Sequence, residues 1–86
     1  MKLKNKDLLI AFGNHLRKLR MEKGFSMRKL ADVANIDYTQ VVKIETAQMN
    51  TSLVTISAVA YALGVPMLKL FDFKIPVYPK PSSKRK

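Results

Sequence analysis

Between Ser26 and Glu45 the chain reads SMRKLADVANIDYTQVVKIE, and this stretch leaves few folds open. Leu30, Ala31 and Ala34 recur at helical spacing and stop at Asn35, and Val41 and Ile44 resume the pattern beyond Asp37. Ser26 precedes the first apolar group as an N-cap, with a side-chain oxygen that can accept from the N–H groups of a first turn. Asn is the non-glycine residue that best tolerates the left-handed conformation, so Asn35 ends one helix and redirects the chain. Ile36 plugs the angle, and Asp37 caps the next helix with its carboxylate at the positive end of the dipole. Two short helices joined by one tight turn are predicted. With Val41 and Ile44 inward, Tyr38, Thr39, Val42 and Lys43 face outward. Hydroxyls, a methyl-bearing residue and a cation suit a nucleic-acid groove.

Charge points the same way. Sixteen Lys and Arg against six Asp and Glu give a formal net charge of +10, so the partner should be polyanionic, nucleic acid before anionic membrane. A chain of 86 residues holds one small domain, a compact five-helix unit rather than an enzyme with a deep cleft. The absence of Cys removes disulfides, thiolate zinc sites and thiol nucleophiles, and is compatible with a cytoplasmic protein. Asp7, Asn14 and the charged run from Arg17 to Lys23 leave no secretory apolar region, and no stretch reaches the ~18 apolar residues of a membrane span. The single His, His15, lies beside Asn14 without a relay and reads as a surface or edge residue. Asp7, Glu22 and Asp72 are scattered, and neither a Gly-rich phosphate loop nor a cluster with metal-ligand spacing is found. No catalysis, metal or cofactor is expected.

Along the chain, residues 1–6 read as a basic N-terminal arm and residues 7–73 as the folded domain. Leu9, Phe12, Leu16 and Leu19 step by three and four, which predicts a helix from about Asp7 to Lys23 ended by Gly24, with Arg17, Lys18 and Lys23 on its solvated side. Ser52 caps a further helix whose core face is Leu53, Ile56, Ala60 and Leu63. Val54, Ala58 and Tyr61 form a second apolar stripe, and no charged residue occurs from Thr46 to Leu68. A helix apolar on both sides needs a second partner surface. Gly64 ends it, Pro66 starts a fifth helix, and Met67, Leu70 and Phe71 close the core. Residues 74–86, KIPVYPKPSSKRK, read as an extended Pro- and Lys-rich tail.

From about Phe12 to Phe71 the sequence resembles the Xre family of lambda-repressor and Cro-like helix-turn-helix domains. The matching residues are Leu16-Arg17 and Leu19-Arg20 before the motif, Gly24-Phe25-Ser26 entering it, Leu30-Ala31 within it and Ile44-Glu45 closing it. Ser52-Leu53, Thr55-Ile56, Ala60 to Val65 and Leu70-Phe71 follow. The resemblance implies an all-α, five-helix lambda-repressor-like fold and a sequence-specific regulator of transcription that binds double-stranded DNA as a homodimer. It further implies a partly buried ion pair between Arg20 and Glu45, and base readout by Tyr38, Thr39, Gln40 and Lys43. Phosphate contacts are implied from Met27, Arg28 and Lys29, where Met27 stands in place of the usual phosphate-anchoring Gln. In the uncharged loop TAQMNT, Ala47 replaces a frequent Gly and Thr51 a frequent Pro, so a less sharp turn is expected, with Gln48, Asn50 or Thr51 on phosphate. Val54, Ala58 and Tyr61 would join two subunits. The alternative is a protein-interaction module, such as an antitoxin, whose uncharged fourth helix binds a different protein.

Overall fold

The computed structural model describes residues 5–74. Its first helix, α1 (Asn5–Lys23), buries Phe12, Leu16 and Leu19 along the expected stripe. It starts at Asn5, two residues before the expected Asp7, so Lys6 belongs to the helix and its Nζ donates to the Ala47 carbonyl oxygen at 2.9 Å. Residues 1–4 of the arm, and all of the tail beyond Lys74, lie outside the described residues. Gly24 ends α1 at φ +81°.

The two short helices are α2 (Met27–Ala34) and α3 (Tyr38–Glu45). Ser26 Oγ accepts from the Lys29 amide at 3.0 Å. Asn35 adopts φ 59°, ψ 46°, and the Ile36 amide reaches back to the Ala31 carbonyl at 3.0 Å, so the turn closes on the orphan carbonyls of α2. Asp37 takes the cap position of α3, but its carboxylate makes no capping hydrogen bond. Its carbonyl oxygen accepts from the Gln40 amide instead, at 3.0 Å, and the turn is closed by backbone alone.

In α4 (Leu53–Leu63), Ser52 Oγ caps the Thr55 amide at 3.1 Å and Gly64 ends the helix at φ +71°. The expected fifth α-helix is a 3-10 turn, Met67–Phe71. Its hydrogen bonds run Lys69 to Pro66 at 2.8 Å and Asp72 to Lys69 at 3.2 Å, and Pro66 stands at the cap rather than inside the helix. Five residues are too few to reward the wider α-helical ring. The class is all-α, with four α-helices and one 3-10 turn among the described residues.

α3 packs against both α1 and α2, α4 packs on α2, and the 3-10 turn closes on α4 and α1. Leu16, Leu30, Val41 and Leu70 are the most deeply buried large side chains. Several expected core positions shift. Val59 and Ala62 are buried in α4, whereas Leu53 is exposed, because periodicity sets the phase of a stripe but not where along it the partner helices begin. Of Met67, Leu70 and Phe71, only Leu70 is fully enclosed, although the Phe71 ring lies 5.6 Å from that of Phe12.

His15 is buried, contrary to its reading as a surface or edge residue. It lies three residues after Phe12 and four before Leu19, on the apolar stripe itself. Its Nε2 is 2.8 Å from the Lys69 carbonyl oxygen, which can only accept, so Nε2 carries the proton. The imidazole also packs on Phe73 with ring centroids 5.4 Å apart.

α1 meets the end of α3 at Gly13. A Cβ there would stand 2.5 Å from the Ile44 carbonyl oxygen and 2.9 Å from that of Glu45. The two backbones touch, and Arg20, two turns further along α1, is carried to Glu45.

Candidate nucleic-acid interface

The support beneath α3 is ionic. Arg20 donates through Nε to Glu45 Oε2 at 2.6 Å and through one terminal nitrogen to Oε1 at 2.9 Å, while the other terminal nitrogen donates to the Phe25 carbonyl at 2.8 Å. Both side chains are nearly enclosed. This fork ties α1 to the last residue of α3 and to the loop entering α2, fixing both short helices at once. Hydrogen bonding to Glu45 raises the Arg20 guanidinium above its ordinary value, against the opposing effect of burial.

Successive residues of an α-helix are about 100° apart, and that rotation sorts the outer face of α3. With Val41 and Ile44 buried, Thr39 and Lys43 occupy the middle of the opposite side and both are exposed. Val42 is half-buried beside them. Tyr38 and Gln40 fall on opposite flanks. Tyr38 turns toward α2, where the Arg28 guanidinium carbon lies 4.3 Å from its ring centroid. Gln40 turns toward α4 and lines a hollow with Asn35, Asp37 and Thr55. The four proposed base readers are therefore one central pair and two separated flanking residues.

At the start of α2 the Ser26 cap takes the Lys29 amide, and the amides of Met27 and Arg28 have no intrahelical partner. Arg28 and Lys29 are exposed, with no acidic residue in that first turn. The Met27 side chain is turned inward and packs against the core, so only its backbone amide can meet a phosphate. Arg17, read as merely solvated, lines a groove with Met27, Thr46 and the Arg20–Glu45 pair.

The loop after α3 is sharply turned after all, because Ala47 takes the left-handed conformation at φ 60° without the help of glycine. Its methyl is buried, which holds it there. Gln48 is exposed, but its Nε2 donates to Thr46 Oγ1 at 2.8 Å, and Asn50 is exposed beside it. The Thr51 hydroxyl is buried without a partner and does not face outward as a phosphate contact would require.

In α4, Val54 and Tyr61 are 79% and 82% exposed, and Leu53 at 72% and Leu68 of the 3-10 turn at 80% are exposed as well. Ala58 is not among them, being half-buried against the core. Leu53, expected on the core face, and Leu68 are further exposed apolar residues of this part of the chain. No helix among the described residues is long and apolar enough to cross a membrane.

Two short helices meeting at a left-handed Asn, clamped from below by an arginine–glutamate fork, define a helix-turn-helix protein. The chain belongs to the helix-turn-helix family HTH_3, whose profile matches residues 16–70. It is similar to the control protein C.MunI of Mycoplasma sp, 38% identical over 67 residues that cover 77% of this chain and 90% of that protein. The control protein C.BamHI of Bacillus amyloliquefaciens is 34% identical over 68 residues, 78% of this chain and 84% of its own. Among solved structures, the restriction-modification controller protein C.AhdI from Aeromonas hydrophila superposes with a TM-score of 0.72 at 41% identity, covering 73% of this chain and 96% of that one.

Proposed function

We propose that this chain is a sequence-specific regulator of transcription that binds double-stranded DNA as a homodimer in the bacterial cytoplasm, of the kind that controls a restriction-modification system. The observation that carries this is the outer face of α3, where Thr39 and Lys43 project side by side from a helix immobilised by the Arg20–Glu45 fork. Lys43 can reach guanine O6 and N7, and Thr39 can donate to a base edge or pack its methyl on thymine. Tyr38 and Gln40 flank them. Arg28, Lys29 and the free amides of α2 meet backbone phosphate, as do Gln48 and Asn50 on the other side. The similarity to control proteins supports the regulatory role.

Selection from a random duplex library at physiological salt tests this. A two-fold symmetric motif with half-sites about 34 Å apart is expected. Thr39→Ala should then weaken the selected operator by roughly 1 to 3 kcal/mol and leave random duplex unchanged. No enrichment, with binding that vanishes as salt rises, would reduce the interaction to charge alone.

Homodimerisation rests on the exposed apolar face of α4, with Val54 and Tyr61 as its most exposed residues. Tyr61→Glu places a charge on that face and should convert a dimer to a monomer in light scattering. The same face favours the second reading, a surface for a different protein. A wild-type chain that stays monomeric at high concentration would select that reading over the homodimer.

A further inference from the structure

Arg28 sits badly in α2 when that helix is considered alone. A cation in the first turn opposes the helix dipole, and no acidic residue in that turn answers it. Among the described residues Arg28 forms no ion pair. What it does have is the face of Tyr38, the first residue of α3, with the guanidinium carbon 4.3 Å from the ring centroid. That lies well inside the roughly 6 Å range of an attractive cation–π contact. The two residues come from different helices and meet across the turn, on the side where α2 starts.

We propose that Arg28 and Tyr38 act as one stacked unit in DNA binding. The ring covers the guanidinium on one side and restricts its rotation, while the exposed arginine keeps its N–H groups available at the start of α2, where the Met27 and Arg28 amides also lack intrahelical partners. That is the geometry of a backbone-phosphate clamp at the start of α2. Met27 packs inward and cannot supply a side-chain donor there, so the stacked arginine supplies it. Tyr38 is thereby a positioning residue for Arg28, one face of its ring being covered, and base readout falls to Thr39 and Lys43. This assignment rests on the DNA-binding reading above.

The test is a salt titration of binding to the selected operator and to random duplex, with melting temperatures measured in parallel. Arg28→Ala should weaken both duplexes by a similar factor, on the order of tenfold. The slope of log affinity against log salt should fall by about 0.9 per protomer. Arg28→Lys should restore the slope but not the full affinity, because an ammonium lacks the planar fork. Tyr38→Phe, which keeps the ring, should retain more affinity than Tyr38→Leu. Tyr38→Leu should keep the slope yet lose several-fold affinity, and should add no loss in an Arg28→Ala background. Additive losses in the double variant would overturn the coupling. An unchanged slope in Arg28→Ala, even with a lowered melting temperature, would reduce Arg28 to a structural role. A changed motif on reselection with Tyr38→Leu would make Tyr38 a base reader and overturn its positioning role. Each of these results leaves the wild type's operator preference intact, whereas failure of the DNA-binding reading would abolish that preference itself.

Discussion

Arg20→Ala is expected to lower the unfolding free energy by about 3 to 5 kcal/mol, because it strands the Glu45 carboxylate in an almost enclosed site and removes the donor of the Phe25 carbonyl. Lys18→Ala, on the solvated side of the same helix, should stay within about 0.5 kcal/mol of the wild type. A small domain has only about 5 to 15 kcal/mol of stability in all, and each kcal/mol moves its melting temperature by roughly 4 to 8 °C. The contrast should therefore exceed about 10 °C in a thermal melt. Equal melting temperatures for the two variants would show that the fork contributes nothing. The pH dependence has a definite sign. A raised arginine value gives stabilisation that is fully present below the unfolded-state value and is lost only as pH climbs past the folded one. Arg20 therefore stays charged across the neutral and moderately alkaline range.

Gly13→Ala is expected to destabilise the chain, reversing the usual effect of the exchange. Replacing a mid-helix glycine by alanine ordinarily gains about 1 kcal/mol. Here the new methyl would meet two backbone carbonyl oxygens of α3, at 2.5 and 2.9 Å, and backbone cannot swing aside as a flexible side chain would. α1 and α3 must part, at a cost of about 1 to 3 kcal/mol or more for overpacking. The separation also stretches the Arg20–Glu45 fork two turns away. A net loss of about 2 kcal/mol in a urea melt is the expected result. A midpoint at or above the wild type's would mean that the two helices do not approach so closely.

The parts of the fold legible in the sequence are those that short-range chemistry decides. Ser26, Asn35 and Ser52 specify caps and a turn through their own side chains or backbone tolerance, and the inward faces at Leu30, Ala31, Ala34, Val41 and Ile44 follow from period alone. What depends on the neighbouring element was harder to read. The burial of His15 follows from its spacing from Phe12 and Leu19, which a reading based on its neighbour Asn14 and the lack of a relay leaves out. Leu53 and Ala58 exchanged environments because their exposure depends on where α4 meets its partners. The buried Thr51 hydroxyl and the inward Met27 are set by tertiary packing, which residue type does not announce. Gly13 left a trace, since glycine inside an otherwise good helix is a penalty that close backbone approach can justify. On the candidate interface, the outward positions of Thr39 and Lys43 follow from phase, while the contact of Arg28 with Tyr38 depends on how α2 and α3 cross.

From Thr46 to Leu68 the chain carries no charge, so every Lys, Arg, Asp and Glu lies elsewhere. Two copies that each carry +10 repel one another as they approach. Meeting across Val54 and Tyr61, they would do so along a helix that itself carries no charge. Added salt screens the long-range repulsion, the screening length falling to about 8 Å at physiological ionic strength. The same salt competes for DNA phosphate and loosens the hold on the duplex. Ionic strength therefore drives the two equilibria in opposite senses, favouring assembly of the protein as it disfavours occupancy of its site.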